Sequence, residues 1–387
     1  MQANRYYAPA WVRTWLWLLV GIVIVMVALG GATRLTGSGL SITEWKPVTG
    51  AIPPMSHAAW LSEFEKYRQS PQYELLNPWM SLSDFKSIYW WEWSHRQFGR
   101  AIGFVFFVPF LILVRGYIRR EASGKLIAGL GGLCVLGALQ AAMGWIMVAS
   151  GLQPGMIAVA PVKLMLHLVV AACILAVLVH FAVKLSPASP SRIDSKISVW
   201  AKALPFLILL QIALGGLVAG SKAGFAYSTW PLMNGRLIPP VNDLFAKSPF
   251  YENFFDNITL VQFQHRMVAY VVTAVAIAYV IDARGVGRHN PRTHAARHAF
   301  FLLGLVGLQS LLGIVTLLFW VPLWAALAHQ IVAMVIFVVA CHGAFSAIRH
   351  QEESESPAPR RAGAPAAREP CAHASFQGTD EKMGSAE

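Results

Sequence analysis

YWWEWSHRQFGRAIGFVFFVPFLILV (89–114) sets a histidine–arginine pair near the head of an apolar run long enough to cross a bilayer. A hydrocarbon core about 30 Å thick needs about 20 apolar residues in a helix. Scanning outward on the same scale gives eight spans, near 13–33, 88–114, 126–149, 161–183, 203–220, 258–281, 298–319 and 323–347. Composition agrees: 56% of the 387 residues are hydrophobic and 13% charged, about half the charged share of soluble domains. A disordered chain is excluded and a soluble multidomain enzyme disfavoured. The net charge of +12 is read as marking cytoplasmic loops rather than a nucleic-acid partner, since Lys and Arg gather on the inner side of membrane spans. The expected fold class is an all-α integral membrane protein.

The first span follows Arg5 and Arg13 without a clean small-residue cleavage site, so it reads as a retained anchor. With the amino terminus inside, 19 of the 31 Lys and Arg fall in the inner segments, which are the short ones. Both termini are therefore expected in the cytoplasm. Residues 1–12 become a cytoplasmic amino terminus and 184–202 a cytoplasmic linker. Residues 349–387, rich in Ala, Pro, Ser, Glu and Arg, are expected to form a disordered cytoplasmic tail. Cys134, Cys173, Cys341 and Cys371 contain no CxxC pair, which points away from zinc knuckles and disulfide frameworks.

The chain is duplicated. Gly30-Gly31, Gly39 and Trp45 match Gly215-Gly216, Gly224 and Trp230 at an offset of 185. His95-Arg96 matches His265-Arg266 at 170, Gln140 and Gly144 match Gln309 and Gly313 at 169, and His167 matches His329 at 162. An even number of spans per repeat gives both halves the same orientation, related by a pseudo-twofold axis along the membrane normal. The expected architecture is two four-helix bundles, 13–183 and 203–348.

Four histidines recur in this pattern: His95, His167, His265 and His329. Each lies on an even-numbered span, six or seven residues past its expected outer end, about 10 Å below the surface at about 1.5 Å per residue. Ionisable groups at that depth usually face the bundle interior and mark function. Two imidazoles per bundle at one height suit a haem iron held on both faces. Zinc fits less well, since its remaining ligands are not supplied. The plainer alternative is four core histidines hydrogen-bonded across helices. Arg96 and Arg266 stand where they would pair with haem propionates, or simply snorkel to the interface. Gly99, Gly103, Gly144 and Gly313 offer close approach for a helix or a macrocycle.

The halves differ at one telling position. Glu92 precedes His95 by one turn on the same face, and Gln262 stands in its place before His265. A desolvated carboxyl in such a site suits general acid–base work, so the first half is expected to do proton chemistry and the second to hold a cofactor. Glu44, Trp45 and the Trp90-Trp91-Glu92-Trp93 cluster lie at the same level, where tryptophans form interfacial belts. A competing assignment pairs His167 with His329 and His180 with His342, as in a diheme b-type cytochrome that only transfers electrons. It uses the spacing of 13 residues in each helix but leaves His95, His265 and Glu92 without roles. A paired-repeat transporter would place helix breakers near the midplane, whereas the Gly-Gly pairs fall near outer ends.

Six stretches resemble the heme A synthase family: GGATRLTGSGLSITEWKPVTGAIPP (30–54), YWWEWSHRQFGRAIG (89–103), KLMLHLVVA (163–171), TWPLMNGRLIPP (229–240), QFQHRMVAY (262–270) and LAHQIVAM (327–334). The likeness runs from about residue 12 to 347. It implies eight transmembrane helices in two related halves and a resident haem b ligated by His265 and His329. It also implies a haem O substrate contacted by His95 and His167, with Glu92 as the catalytic carboxylate. The implied reaction oxidises a methyl group of haem O to a formyl group by successive hydroxylations with water-derived oxygen, for cytochrome oxidase assembly. Electrons would leave through the resident haem to an unidentified acceptor. Haem O synthase is an implied partner and a homo-oligomer stays open. Residues 34–88 contain no cysteine, so the chain resembles the branch without an outer-loop cysteine pair. The short amino terminus lacks an Arg- and Ser-rich transit segment, so a bacterial inner membrane is expected, with the haem sites toward the periplasm.

Overall fold

Eight helices are long and apolar enough to cross a membrane: α1 (Trp11–Leu35), α2 (Leu82–Ile118), α3 (Gly124–Gly151), α4 (Pro161–Lys184), α5 (Val199–Gly220), α6 (Ile258–Val286), α7 (His294–Leu318) and α8 (Leu323–Glu355). This computed structural model describes residues 6–187, 199–286 and 294–355. The described residues form an all-helical, multi-pass membrane protein, with a single isolated β-bridge at Met233–Arg236.

Local chemistry sets several boundaries. Ser81 and Asp84 form a reciprocal capping box at the start of α2, satisfying donors that the first turn leaves unpaired. Ser123 caps α3, and Pro161, whose missing N–H costs nothing in a first turn, opens α4. The capping box starts α2 at Leu82, ahead of the expected 88, because Phe85 and Tyr89 bury their rings against Trp60 and Tyr67 of the loop. His95 therefore lies deeper into its helix than the other three histidines, with the extra turns belonging to the loop layer. At the other end α8 continues to Glu355, into the stretch expected to be a disordered tail. There Lys184 pairs with Glu352, and Arg349 donates to the carbonyls of Val183 and Ser186. The rest of that tail and most of the linker lie outside the described residues.

Neighbour relations repeat under the sequence offsets. α1 packs on α2, and α5 packs on α6; α3 lies along α4, and α7 along α8. Across the middle, α4 packs on α5 and α8 on α1, while α4 and α8 run together. Gly31 brings α1 close against Gln330 of α8, and its counterpart Gly216 brings α5 so close to α4 that an added Cβ would lie 3.0 Å from the Met165 Cα. Arg34 donates from Nη1 to the carbonyl of Ala219 at 2.9 Å, its own counterpart at the offset of 185. One relation is unequal: α6 packs along α7, whereas α2 and α3 meet only briefly.

The apolar core sits toward the end opposite the long connections. Leu16, Leu19, Leu130, Leu175, Leu204, Leu302 and Met334 are all at most 1% exposed there. Burying such side chains contributes roughly 1.5–3 kcal/mol each when the alternative is water; in lipid, close packing carries the association instead. The histidines lie toward the loop end, beyond this packed zone. Over that end the first connection folds into the helices His57–Arg68 and Pro71–Leu76, and the second into Val241–Leu244 and Asn253–Asp256.

Candidate functional site

Each of the four histidines faces a glycine on the preceding helix. A Cβ added at Gly30 would lie 3.1 Å from His95 Nε2, and one at Gly215 would lie 3.2 Å from His265 Cε1. At Gly144 the added atom would come within 3.1 Å of His167 Cε1, and at Gly313 within 3.0 Å of His329 Cε1. Those separations are tighter than ordinary packing, so glycine is what lets the imidazoles lie against the neighbouring backbone. The same device appears four times, on α1/α2, α3/α4, α5/α6 and α7/α8. Each half thus carries two such rings, His95 and His167 in the first and His265 and His329 in the second.

Glutamines accompany three of the rings. Gln140 Nε2 lies 3.3 Å from His167 Nε2, Gln309 Nε2 lies 3.3 Å from His329 Nε2, and Gln211 Nε2 lies 3.1 Å from His265 Nδ1. The position matching Gln211 in the first half is Met26, whose methyl group lies 3.4 Å from a Cβ added at Gly99. Among the described residues, six buried side-chain polar atoms lack a hydrogen-bond partner: Trp93 Nε1, His167 Nδ1, and Oε1 of Gln140, Gln211, Gln262 and Gln309. Four of the six, His167 Nδ1 and Oε1 of Gln140, Gln211 and Gln309, belong to a histidine or to a glutamine lying against one. Buried polar atoms are ordinarily satisfied, at a cost of about 1–3 kcal/mol when they are not. Their concentration at both histidine pairs fits sites built to enclose a further polar group.

Glu92 is 2% exposed, so it is not an idle carboxylate at the wet interface. Its Oε2 accepts from the Ser41 hydroxyl at 2.8 Å and the Ile42 N–H at 2.9 Å. Its Oε1 accepts from Arg96 Nη2 at 2.6 Å and Nε at 3.1 Å. Arg96 also donates to the carbonyls of Ile42 and Glu44. The second half keeps the frame and loses the charge: Arg266 Nη2 and Gln262 Nε2 both donate to the Tyr227 carbonyl, at 3.0 and 3.2 Å. Tyr227 is the counterpart of Ile42, and Ala226 the counterpart of Ser41. The acid and its hydroxyl donor are thus present together in one half and absent together from the other. Both arginines are engaged by loop carbonyls, so each ties its helix to the outer connection.

Outside the membrane spans, Lys46 and Lys66 hold the Glu44 carboxyl below the usual carboxylate range by hydrogen bonding, while Glu44 and Glu63 push the Lys66 ammonium up. Two clefts open beside this network, on either side of Trp145. One, of roughly 50 Å³, is lined by Glu44, Trp45 and Arg96; the other, of roughly 420 Å³, by Ser150, Gln153 and Lys163. Trp45, Trp90, Trp91 and Trp145 are exposed at this level. His180 and His342 lie far from it. Tyr6, Phe181 and Phe345 meet the His180 ring edge-on, and His342 packs on Trp17. Two aromatic nests of that kind do not favour the diheme pairing.

Sequence reasoning singled out Glu92, Arg96, Arg266 and the four histidines, and the fold gathers them at the loop-bearing end. It missed Ser41, Met26, Gln211 and the facing role of Gly30 and Gly215. The offset of 185 carried the signal for all of them: Gly30 and Gly215 agree across it, while Ser41/Ala226 and Met26/Gln211 differ, as Glu92/Gln262 do at 170.

The fold and site define a class: a duplicated, multi-pass membrane protein with one histidine pair per repeat and one buried acid. The chain belongs to the COX15-CtaA family of cytochrome oxidase assembly proteins, whose sequence profile matches residues 13–341. It is 56% identical over 329 residues to the heme A synthase of Methylobacterium sp. (strain 4-46), covering 85% of this chain and 90% of that protein. The Azorhizobium caulinodans heme A synthase is 46% identical over 345 residues, covering 89% and 96%. That of Brucella anthropi is 45% identical over 329 residues, covering 85% and 90%.

Proposed function

We propose that this chain is a heme A synthase of a bacterial inner membrane, oxidising a methyl group of haem O to a formyl group. The net change takes one oxygen from water and releases four electrons and four protons. The single observation that carries the division of labour is the replacement of Glu92 and Ser41 by Gln262 and Ala226 in otherwise matched frames. Chemistry that releases protons needs an acceptor, and a buried carboxylate beside the first histidine pair supplies one.

In this reading His95 and His167 flank the substrate iron, with Gly30 and Gly144 leaving room for the rings. Glu92 takes protons from the reacting centre, and the Ser41 hydroxyl, the Ile42 N–H and Arg96 hold its carboxylate in place. His265 and His329 hold a resident haem b, with Gln211 and Gln309 orienting the imidazoles as outer-shell partners do. Bound there, the haem supplies an electron acceptor for the oxidation. Both termini are cytoplasmic, the two haem sites face the periplasm, and haem O synthase delivers the substrate.

Pigment extraction from the purified protein, followed by chromatography of the haems, tests the assignment. Farnesylated haem accompanied by the formyl product, beside haem b, is the expected result. Haem b alone, in preparations from cells that make haem O, would favour a plain b-type cytochrome.

A further inference from the structure

The larger cleft beside Trp145 contains a feature that the second repeat lacks. Lys163, in the first turn of α4, lines it together with Ser150 and Gln153. Its ammonium has no hydrogen-bond or ion-pair partner among the described residues. Arg96, the other cation at this level of the first half, is already engaged by Glu92 and by the carbonyls of Ile42 and Glu44. The counterpart of Lys163 at the offset of 162 is Ala325, which is fully buried. A lysine in a first helical turn opposes the helix dipole, so its placement there is a local cost that an anion would reverse.

Register supplies the second argument. Lys163 precedes His167 by four residues, so the two side chains share a face of α4, one turn apart. On the neighbouring helix, Gly144 receives the His167 ring, and Trp145, Ile146 and Ala149, from other faces of the same helix, line the cleft. His167 Nδ1 is itself a buried atom without a partner. Along this face of α4, then, an imidazole is followed one turn outward by a free ammonium, which borders a cleft with apolar and aromatic lining. A flat macrocycle gripped at its centre and carrying carboxylates at one edge has the matching order of groups. α2 and α3 meet only briefly.

We propose that Lys163 anchors a propionate carboxylate of the tetrapyrrole substrate in the first half, fixing the macrocycle's rotation about its iron and hence which methyl group faces Glu92. The inference rests on the reading of the first half as the substrate site. It makes Lys163 a positioning residue, absent from the half that only holds a cofactor.

The test uses the haem-loaded protein in nanodiscs and two fluorescent probes, zinc protoporphyrin IX and its dimethyl ester, which lacks the carboxylates. Wild type is expected to bind the free acid about tenfold more tightly than the diester. Lys163→Met, which keeps the stem, should bring that ratio to about twofold with diester affinity unchanged, and Lys163→Arg should restore most of it. An unaltered visible spectrum of the resident haem shows that the variants are folded. A wild-type ratio in Lys163→Met overturns the anchor while leaving the substrate site standing. Binding of neither probe to wild type overturns the substrate site and the anchor together. Repeating the titration in phosphatidylcholine and in phosphatidylglycerol discs separates a lipid phosphate from a propionate. A preference that follows disc composition instead of the ester contradicts the proposal.

Discussion

The two halves of the chain hold their histidines by one device and differ in what surrounds it. Gly30 and Gly144 face His95 and His167 as Gly215 and Gly313 face His265 and His329. Around that shared frame, Glu92, Ser41, Met26 and Lys163 of the first half stand against Gln262, Ala226, Gln211 and Ala325 of the second. On the helix carrying the first histidine of each pair, Gly99 and Gly103 stand against Ala269 and Thr273. The first half has the acid, the free cation and the smaller residues; the second has amides and fuller packing between α6 and α7. Duplication preserved a way of presenting imidazoles, and the side chains next to them diverged.

The comparison breaks most visibly at Glu92. Glu92→Gln gives the first half the side chain of the second, and a positioned general base contributes about 10²–10⁴-fold. Formation of the formyl haem, followed by chromatography of extracted pigment, should fall by about a hundredfold or more, while the resident haem spectrum stays unchanged. Wild-type product levels would remove the distinction between the halves.

Paired glycine substitutions sharpen it. Overpacking of this kind costs roughly 1–3 kcal/mol. Gly215→Ala should lower the haem b content of purified protein severalfold by displacing His265. Gly30→Ala should keep that content and slow product formation instead. Identical effects of the two variants on the spectrum would erase the assignment of roles.

The seam between the repeats offers a smaller effect. Arg34 donates to the Ala219 carbonyl, and a hydrogen bond with a charged partner contributes about 1.5–3 kcal/mol. Arg34→Met should lower the thermal midpoint by a few degrees without altering the ratio of bound haem to protein.

Smallest of all is the outer network of Glu44, Lys46 and Lys66, since exposed ion pairs contribute at most about 1 kcal/mol. The Glu44 carboxyl is held below its ordinary range. Its contribution is therefore present above the unfolded-state carboxylate value and fades as pH falls through the folded one. The destabilisation caused by Lys66→Ala should accordingly be measurable by thermal unfolding near neutrality and vanish in acid.

Much of this was legible in the sequence because lipid imposes two simple rules. A span must be long and apolar, so all eight were visible as runs of composition. An ionisable residue inside a span is costly, so His95, Glu92 and their counterparts stood out. The boundaries set by water-side packing were less visible: α2 begins at Leu82 because Ser81, Phe85 and Tyr89 join the loop layer, and α8 reaches Glu355 through Arg349 and Glu352. The partners of Glu92 were hidden for a different reason. Ser41 and the Ile42 N–H come from a connection whose path no periodicity describes. Arg96 was read as facing a ligand, yet its nearest partner is the acid one turn behind it. Nothing in the sequence set Lys163 apart, since its cleft is formed by residues of α3 and the following connection.

The central claim is that one histidine pair holds a resident haem and the other meets the substrate. Visible absorption of the four single variants, His95→Ala, His167→Ala, His265→Ala and His329→Ala, tests it most directly. The low-spin bis-imidazole b-type spectrum should disappear in the His265 and His329 variants and persist in the other two. Its persistence without His265 and His329, or its loss in the His95 and His167 variants alone, would contradict the account.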